Sequence, residues 1–107
     1  MPIDQTALLN RLVGGDPHAP GDVLTSARST ESASVLVAAA MLVRDADYLA
    51  RAVPLATSAR ERQLVVLAQT HLQGNTDLLD VLVRDHLADH PDHLLAAWIA
   101  GRPVPEQ

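Results

Sequence analysis

Three histidines near the end of the sequence have a spacing that could bind a metal ion. On a helix, His86 and His90 stand one turn apart and can face a single ion, and His93 follows them. An aspartate directly precedes each histidine: Asp85, Asp89 and Asp92. Pro91 interrupts any helix between His90 and His93, and no residue that would orient the ligands can be named. We therefore interpret the cluster as a solvated helix end. The alternative is a small helical regulator that binds a metal or another ligand through these histidines.

No other group of residues has the pattern of a catalytic or cofactor site. The motifs of α/β-hydrolases, P-loop NTPases, dinucleotide-binding folds and zincin proteases are absent from the sequence. The chain has no Cys, which excludes disulfides, thiol catalysis and Cys-zinc sites. His71 lies on an apolar helix face without a Ser, Cys or Asp partner, so we interpret it as a core or interface residue. We expect a protein that is not an enzyme, with no catalytic residue, no cofactor and no bound metal.

The composition indicates one small globular domain. The 107 residues carry a formal charge of −5 from 13 acidic and 8 basic residues, and the basic ones are all Arg. Such a balance lacks the basic patch that follows a phosphate backbone, so we expect no nucleic-acid partner. No uncharged stretch reaches the ~20 residues of a membrane span, so we expect no membrane partner. Residues 1–4 lack the basic-then-apolar order of a signal peptide, and we expect a cytoplasmic protein.

The most frequent residue types in the sequence predict an all-α fold. There are 17 Ala and 17 Leu against a single Trp, a single Tyr and no Phe, and Ala and Leu are strong helix formers. A first helix is predicted from an N-cap at Asp4 to Gly14. Residues 16–30 contain prolines, serines and glycine, which predicts a mobile loop with at most a short helix around residues 22–28. The nine apolar residues 35–43 predict the central, most enclosed helix, in preference to a strand because of the alanines inside the run.

Start and stop signals are clearer in the second half. Pro54 ends a short fourth helix, and Ser58 with Glu61 forms a capping box that predicts a helix ending at Gly74. Asn75 or Thr76 then caps a sixth helix. Five apolar residues of that helix are predicted to face inward: Leu78, Leu79, Leu82, Val83 and Leu87. A seventh helix is predicted from Pro91 or Asp92 to Ala100, with Pro in its first turn and Gly101 as its end. The tail, residues 102–107, is expected to be frayed.

The spacing of these signals indicates a helical repeat. Ser58 and Asp92 open helices of the same kind 34 positions apart, the period of the tetratricopeptide repeat. With A-R-E-R, G-N and H-P-x-x-L-L-A in this order, residues 58–100 resemble the repeat segment of tetratricopeptide repeat protein 38-like proteins. The resemblance implies antiparallel helical hairpins stacked as a short array of about six to seven helices, with a surface for protein contact. Where the family has small residues at the helix contacts, this chain has Leu67, Leu79 and His86.

We expect a single domain, 1–107, in five consecutive parts. These are an N-terminal helix plus loop (1–30), a degenerate helix pair (31–57), a tetratricopeptide-like pair (58–90), a terminal helix (91–101) and a tail (102–107). Repeat stacks usually need about three units for stability, so a second copy of the chain could supply a missing neighbour by two-fold symmetry.

The terminal helix is the predicted interaction surface. Its residues 94–100 carry no charge, although the last helix of a repeat stack should have a polar outer face. Four large apolar residues are the predicted interface: Leu94, Leu95, Trp98 and Ile99. We therefore predict a non-enzymatic protein-protein interaction module that forms a homodimer or binds another protein through this helix. The alternative is that the helix folds into the centre of the bundle and is buried on all sides.

Overall fold

A computed structural model describes residues 5–102, and within this range the fold is all-α, as predicted, with no strand. Its seven α-helices are α1 (Gln5–Val13), α2 (Ala19–Ala27), α3 (Ala33–Val43), α4 (Asp47–Ala52), α5 (Ala59–Leu72), α6 (Thr76–Asp89) and α7 (Leu94–Ala100). A 3₁₀ turn, Val53–Leu55, contains Pro54 and follows α4 directly. None of the helices in the described range has the length and apolar character needed to cross a membrane.

Helix α3 is the centre of the molecule, as its uninterrupted apolar sequence predicts. Eight of its eleven residues are buried, and three consecutive alanines, Ala38, Ala39 and Ala40, have no exposed surface. Helices α1, α2, α4, α5 and α7 all contact it. Because alanine side chains are short, the backbones of these neighbours can approach α3 closely, and the core is built with almost no aromatic residues.

The capping signals of the second half are confirmed. The Ser58 hydroxyl accepts a hydrogen bond from the Glu61 N–H at 3.1 Å, and the Glu61 carboxylate accepts one from the Ser58 N–H at 3.3 Å. Asn75 caps α6 by accepting from the Leu78 N–H at 3.2 Å. Gly74 has a φ of +74°, the left-handed conformation that glycine adopts without a steric penalty. These local bonds fix the turn between α5 and α6.

The predicted loop at residues 16–30 is wrong, because a nine-residue helix, α2, occupies most of it. Pro20 lies in the first turn of this helix, where its missing N–H would have no partner inside the helix. Ala19, Val23 and Ala27 have no exposed surface and face the rest of the core. The Arg51 guanidinium also donates to the Ala27 carbonyl at 2.8 Å. Burial of small residues against α3 therefore outweighs the turn-forming composition of the segment.

Two predictions about α6 and α7 are also wrong. Leu78 was expected to face inward, but 44% of it is exposed, because α6 packs mainly against α5 and α7 and Leu78 lies on its outer side. Helix α7 begins at Leu94 rather than at Pro91 or Asp92, and Pro91 lies in the turn before it. The predicted N-cap Asp4 and all of the predicted tail except Arg102 lie outside the described residues.

We predict that Ala39→Leu lowers the free energy of unfolding by about 1–3 kcal/mol, because extra carbon atoms have no space between α3 and its neighbours. Urea unfolding followed by circular dichroism measures the change. Ala50→Leu, at an exposed alanine of α4, is the matched control and should change it by less than about 0.5 kcal/mol. Equal effects at the two positions would contradict the central position of α3.

Candidate functional site

The structure brings the three clustered histidine rings together, and two of them, His86 and His93, share a hydrogen bond. His86 lies in the last turns of α6, and His93 is the residue just before α7. The turn through Pro91 reverses the chain, and the His93 N–H donates to the His90 carbonyl at 3.1 Å. As a result, His86 Nε2 lies 2.6 Å from His93 Nδ1. Pro91, which seemed to separate the histidines along a helix, is part of the turn that joins them.

A third side chain, Gln63 of α5, extends this pair into a chain of hydrogen bonds. His86 Nδ1 lies 2.7 Å from the Gln63 Oε1 atom, which can only accept, so His86 Nδ1 carries the hydrogen. In a neutral imidazole the other nitrogen then accepts, so His93 Nδ1 donates to His86 Nε2. The three side chains connect α5, α6 and the start of α7. We call them the Gln63–His86–His93 chain.

Both imidazoles are buried, and both are held in the neutral state. Only 2% of His86 and 7% of His93 is exposed. Burial, with the positive charge of nearby Arg60 as a second cause, lowers the pKa of His93 from 6.5 to about 4. Burial also lowers the pKa of His86, and the neighbouring His90 adds to this effect. The interpretation of the cluster as a solvated helix end is therefore wrong for these two residues.

The geometry does not favour metal binding by the cluster. Two imidazole nitrogens bound to one tetrahedral zinc ion are about 3.3 Å apart, whereas His86 Nε2 and His93 Nδ1 share a hydrogen at 2.6 Å. His90 is partly exposed at the end of α6, with its ring centre 5.0 Å from that of His86. Among residues 5–102, no group of three or more His, Cys, Asp or Glu side chains is arranged to hold a metal ion.

Two surface hollows lie on either side of the histidine pair. Gln63 and His86 line a groove of about 340 Å³ between α5 and α6, which we call the α5–α6 groove. His93 lines a second hollow of about 420 Å³ next to Arg60, which we call the Arg60 cleft. The Gln63–His86–His93 chain thus extends from one hollow to the other.

The four predicted interface residues of α7 divide into two pairs. Leu95 and Ile99 are buried in the core of this chain, with 4% and 0% exposed. Leu94 is 53% exposed, and Trp98 is partly exposed with the Arg102 guanidinium 4.6 Å from its ring centre. Of these four residues, Leu94 and Trp98 are therefore the two that another molecule can contact. His71, predicted to be a core or interface histidine, is buried, and its Nε2 lies 3.1 Å from the Arg102 carbonyl oxygen.

Sequence reasoning missed the pairing of His86 with His93 and the role of Gln63. The two histidines are seven positions apart, two turns of an uninterrupted helix, which gives no sign that their rings touch across a chain reversal. The available signal was Pro91 itself, since a proline that ends one helix often precedes a turn. Gln63 lies outside any motif, and only the contact between α5 and α6 brings it to His86.

Comparisons with known proteins identify no relative of this chain. No protein-family model matches it, and neither curated proteins nor solved structures give a significant match.

We predict that the protein loses stability as the pH falls from 6.5 toward 4. Because the pKa of His93 is lowered in the folded state, the unfolded chain binds more protons in this range, and the free energy of unfolding decreases. Protonation of both imidazoles would also place two N–H donors face to face, on His86 Nε2 and His93 Nδ1. The thermal midpoint, measured at several pH values, should fall by several degrees across this window.

The slope of stability against pH distinguishes the histidine pair from other titrating groups. His93→Gln removes the imidazole and should flatten the slope between pH 6.5 and 4, whatever its effect on absolute stability. His18→Gln, at an exposed histidine before α2, is the matched control and should keep the wild-type slope. An unchanged slope in His93→Gln would contradict a neutral, buried pair.

Proposed function

We propose that the protein is a non-enzymatic interaction module that pairs with a second copy of itself through the outer face of the α5–α6 hairpin. The observation that carries this proposal is the exposure of large apolar side chains on that face. The sequence pointed to self-association through α7, but α7 has only two accessible apolar residues of the four predicted. We therefore keep the proposal of an interaction module and place its interaction surface on the α5–α6 hairpin instead of α7.

Exposed and partly exposed apolar residues form a short stripe on the outer face. Leu78, Val81 and Leu82 recur at the three- and four-residue spacing that places side chains on one side of a helix. Leu82 lines the α5–α6 groove together with Val66 of α5. Leu78, Val66 and Val81 are 44%, 44% and 51% exposed. Exposed apolar residues gathered around a groove are typical of protein interaction sites.

Helix α6 supplies most of this stripe because it is the outermost helix. Although it has 14 residues, only Leu79 and His86 are buried. Its main contacts are with α5 and α7. A second layer of helices packed against α6 would bury its exposed apolar side chains. This agrees with a tetratricopeptide-like arrangement, in which each hairpin is covered by a neighbour.

The charges on the two rims of the groove favour a second copy as the occupant. Arg62 lies on the α5 rim, and Asp85 and Asp89 lie on the α6 rim. A two-fold axis along the groove places α5 of one copy over α6 of the other. Arg62 then faces the partner's Asp85 and the partner's Asp89, and the same pairs form again on the other side of the axis. A surface with one basic and one acidic rim is in this way complementary to itself.

We predict a concentration-dependent dimer, measured by size-exclusion chromatography with light scattering over a wide concentration range. Val66→Glu should shift the protein to monomer, because it buries an unpaired charge in the interface. Val53→Glu is the matched control, since Val53 is 52% exposed but lies outside the hairpin, and it should remain dimeric. A monomeric wild type at all concentrations would contradict the proposal.

Charge reversal tests the arrangement of the two copies. Arg62→Glu should weaken the dimer by placing like charges opposite each other, and the added change Asp85→Arg should restore part of the lost affinity. Trp98→Glu tests the surface that the sequence predicted. If Trp98→Glu dissociates the dimer and Val66→Glu does not, the interface is α7 and the proposed hairpin surface is wrong.

A further inference from the structure

The Arg60 cleft has a different chemistry from the α5–α6 groove. It lies between α1, the first turns of α3 and α5, and the turn that precedes α7. Its wall includes the partly buried apolar residues Leu9 and Val13 of α1. Its other side is polar, with Arg60, Ser34 and His93. A hollow of about 420 Å³ with one apolar side and one polar side, which includes Arg60 and Asp92, suits a small amphipathic molecule.

Several polar groups in the cleft have no partner. Within residues 5–102, the Arg60 guanidinium makes no ion pair or hydrogen bond, unlike Arg11, which pairs with Asp16 at 2.8 Å. The side chains of Ser34 and Asn10, both part of the lining, also have no hydrogen-bond partner there. Only 7% of His93 is exposed. Its Nδ1 atom is hydrogen-bonded to His86, and its Nε2 atom has no hydrogen-bond partner among the described residues. The His93 Nε2 atom and the Arg60 guanidinium are thus both open to a ligand that enters the cleft.

We propose that the Arg60 cleft binds a small organic acid, whose carboxylate contacts Arg60 and His93 and whose apolar body lies against Leu9 and Val13. This proposal does not rest on the proposed function, because the cleft and the α5–α6 groove are lined by different residues. Arg60 lies at the second position of α5, and Arg62 points to the other hollow.

The residues of the cleft favour a carboxylate over other anions. A guanidinium presents parallel N–H groups that match the two oxygens of a carboxylate. Inorganic phosphate is polar on all sides and would make no favourable contact with the apolar side of the cleft. Asp92, which also lines the cleft, opposes a second negative charge and so disfavours dicarboxylates and phosphate dianions.

The Gln63–His86–His93 chain can supply the hydrogen that a carboxylate requires. With Gln63 Oε1 as the final acceptor, His93 Nε2 carries no hydrogen. Rotation of the exposed Gln63 amide by half a turn makes it a donor and reverses both bonds, which places the hydrogen on His93 Nε2. The pair stays neutral in both arrangements, so the cleft can adapt to an anion without taking up a proton.

Isothermal titration with sodium hexanoate as the probe tests the proposal. Hexanoate should bind saturably, and hexanamide, which has the same shape without the charge, should bind at least about tenfold more weakly. Inorganic phosphate should also bind at least about tenfold more weakly than hexanoate. Arg60→Gln should weaken hexanoate binding about tenfold or more, and Arg60→Lys should weaken it less, because the charge remains but the paired N–H groups are lost.

Two further variants separate binding from folding. Asp92→Asn should tighten hexanoate binding about two- to threefold, because it removes a repelling charge, and a merely structural effect would not improve affinity. Arg84→Gln, at an exposed arginine of α6, is the matched control and should bind like the wild type. The thermal midpoint of each variant checks that it folds. No saturable heat with hexanoate, equal binding of hexanamide, or an unchanged affinity in Arg60→Gln would each overturn the proposal.

Discussion

The whole fold depends on one constraint, which is that α3 is apolar on every side and has to be covered on every side. A helix of this kind cannot lie on the surface, so five other helices surround it. The constraint explains why residues with a loop-like composition form α2, since a helix buries Ala19, Val23 and Ala27 and an irregular segment would leave that side of α3 open. It also explains how a core without phenylalanine is sufficient, because alanines bring the helices close together.

The same constraint determines which surfaces remain for function. Helices α1, α2, α4, α5 and α7 cover α3, and α6 packs mainly on α5 and α7. That helix therefore lies outside, against α5, and its apolar residues stay partly exposed. The two buried histidines lie where this outer helix meets α7, between the enclosed and the exposed parts of the molecule. Both hollows on the surface are adjacent to that junction.

Local sequence signals predicted most of the helices. They did not predict the contacts between residues that are distant in the sequence. The central helix, the Ser58 capping box and the Gly74 turn each depend on neighbours within a few positions, and each is confirmed. The α2 helix was missed because its stability comes from contact with α3. The inward direction of Leu78 was wrong because helical spacing gives the apolar side of a helix but not the number of helices that cover it.

The candidate site illustrates the same difference. Histidines in the right region were identified from residue type and spacing, but their partners were not. The pairing of His86 with His93 depends on the path of the turn at Pro91, and the contact with Gln63 depends on how α5 and α6 align. The predicted interface on α7 was based on an uncharged run, and three of its seven residues, Leu95, Ala96 and Ile99, are apolar because they contribute to the core.

The Gln63–His86–His93 chain links the hydrogen-bonding state of the α5–α6 groove to that of the Arg60 cleft. A neutral imidazole has one hydrogen and one lone pair, so the direction of one hydrogen bond in the chain fixes the direction of the next. Whichever atom Gln63 turns toward His86 determines whether His93 offers a hydrogen or a lone pair on the far side. A half-turn of the Gln63 amide would therefore reverse both hydrogen bonds without moving a helix and without a net charge.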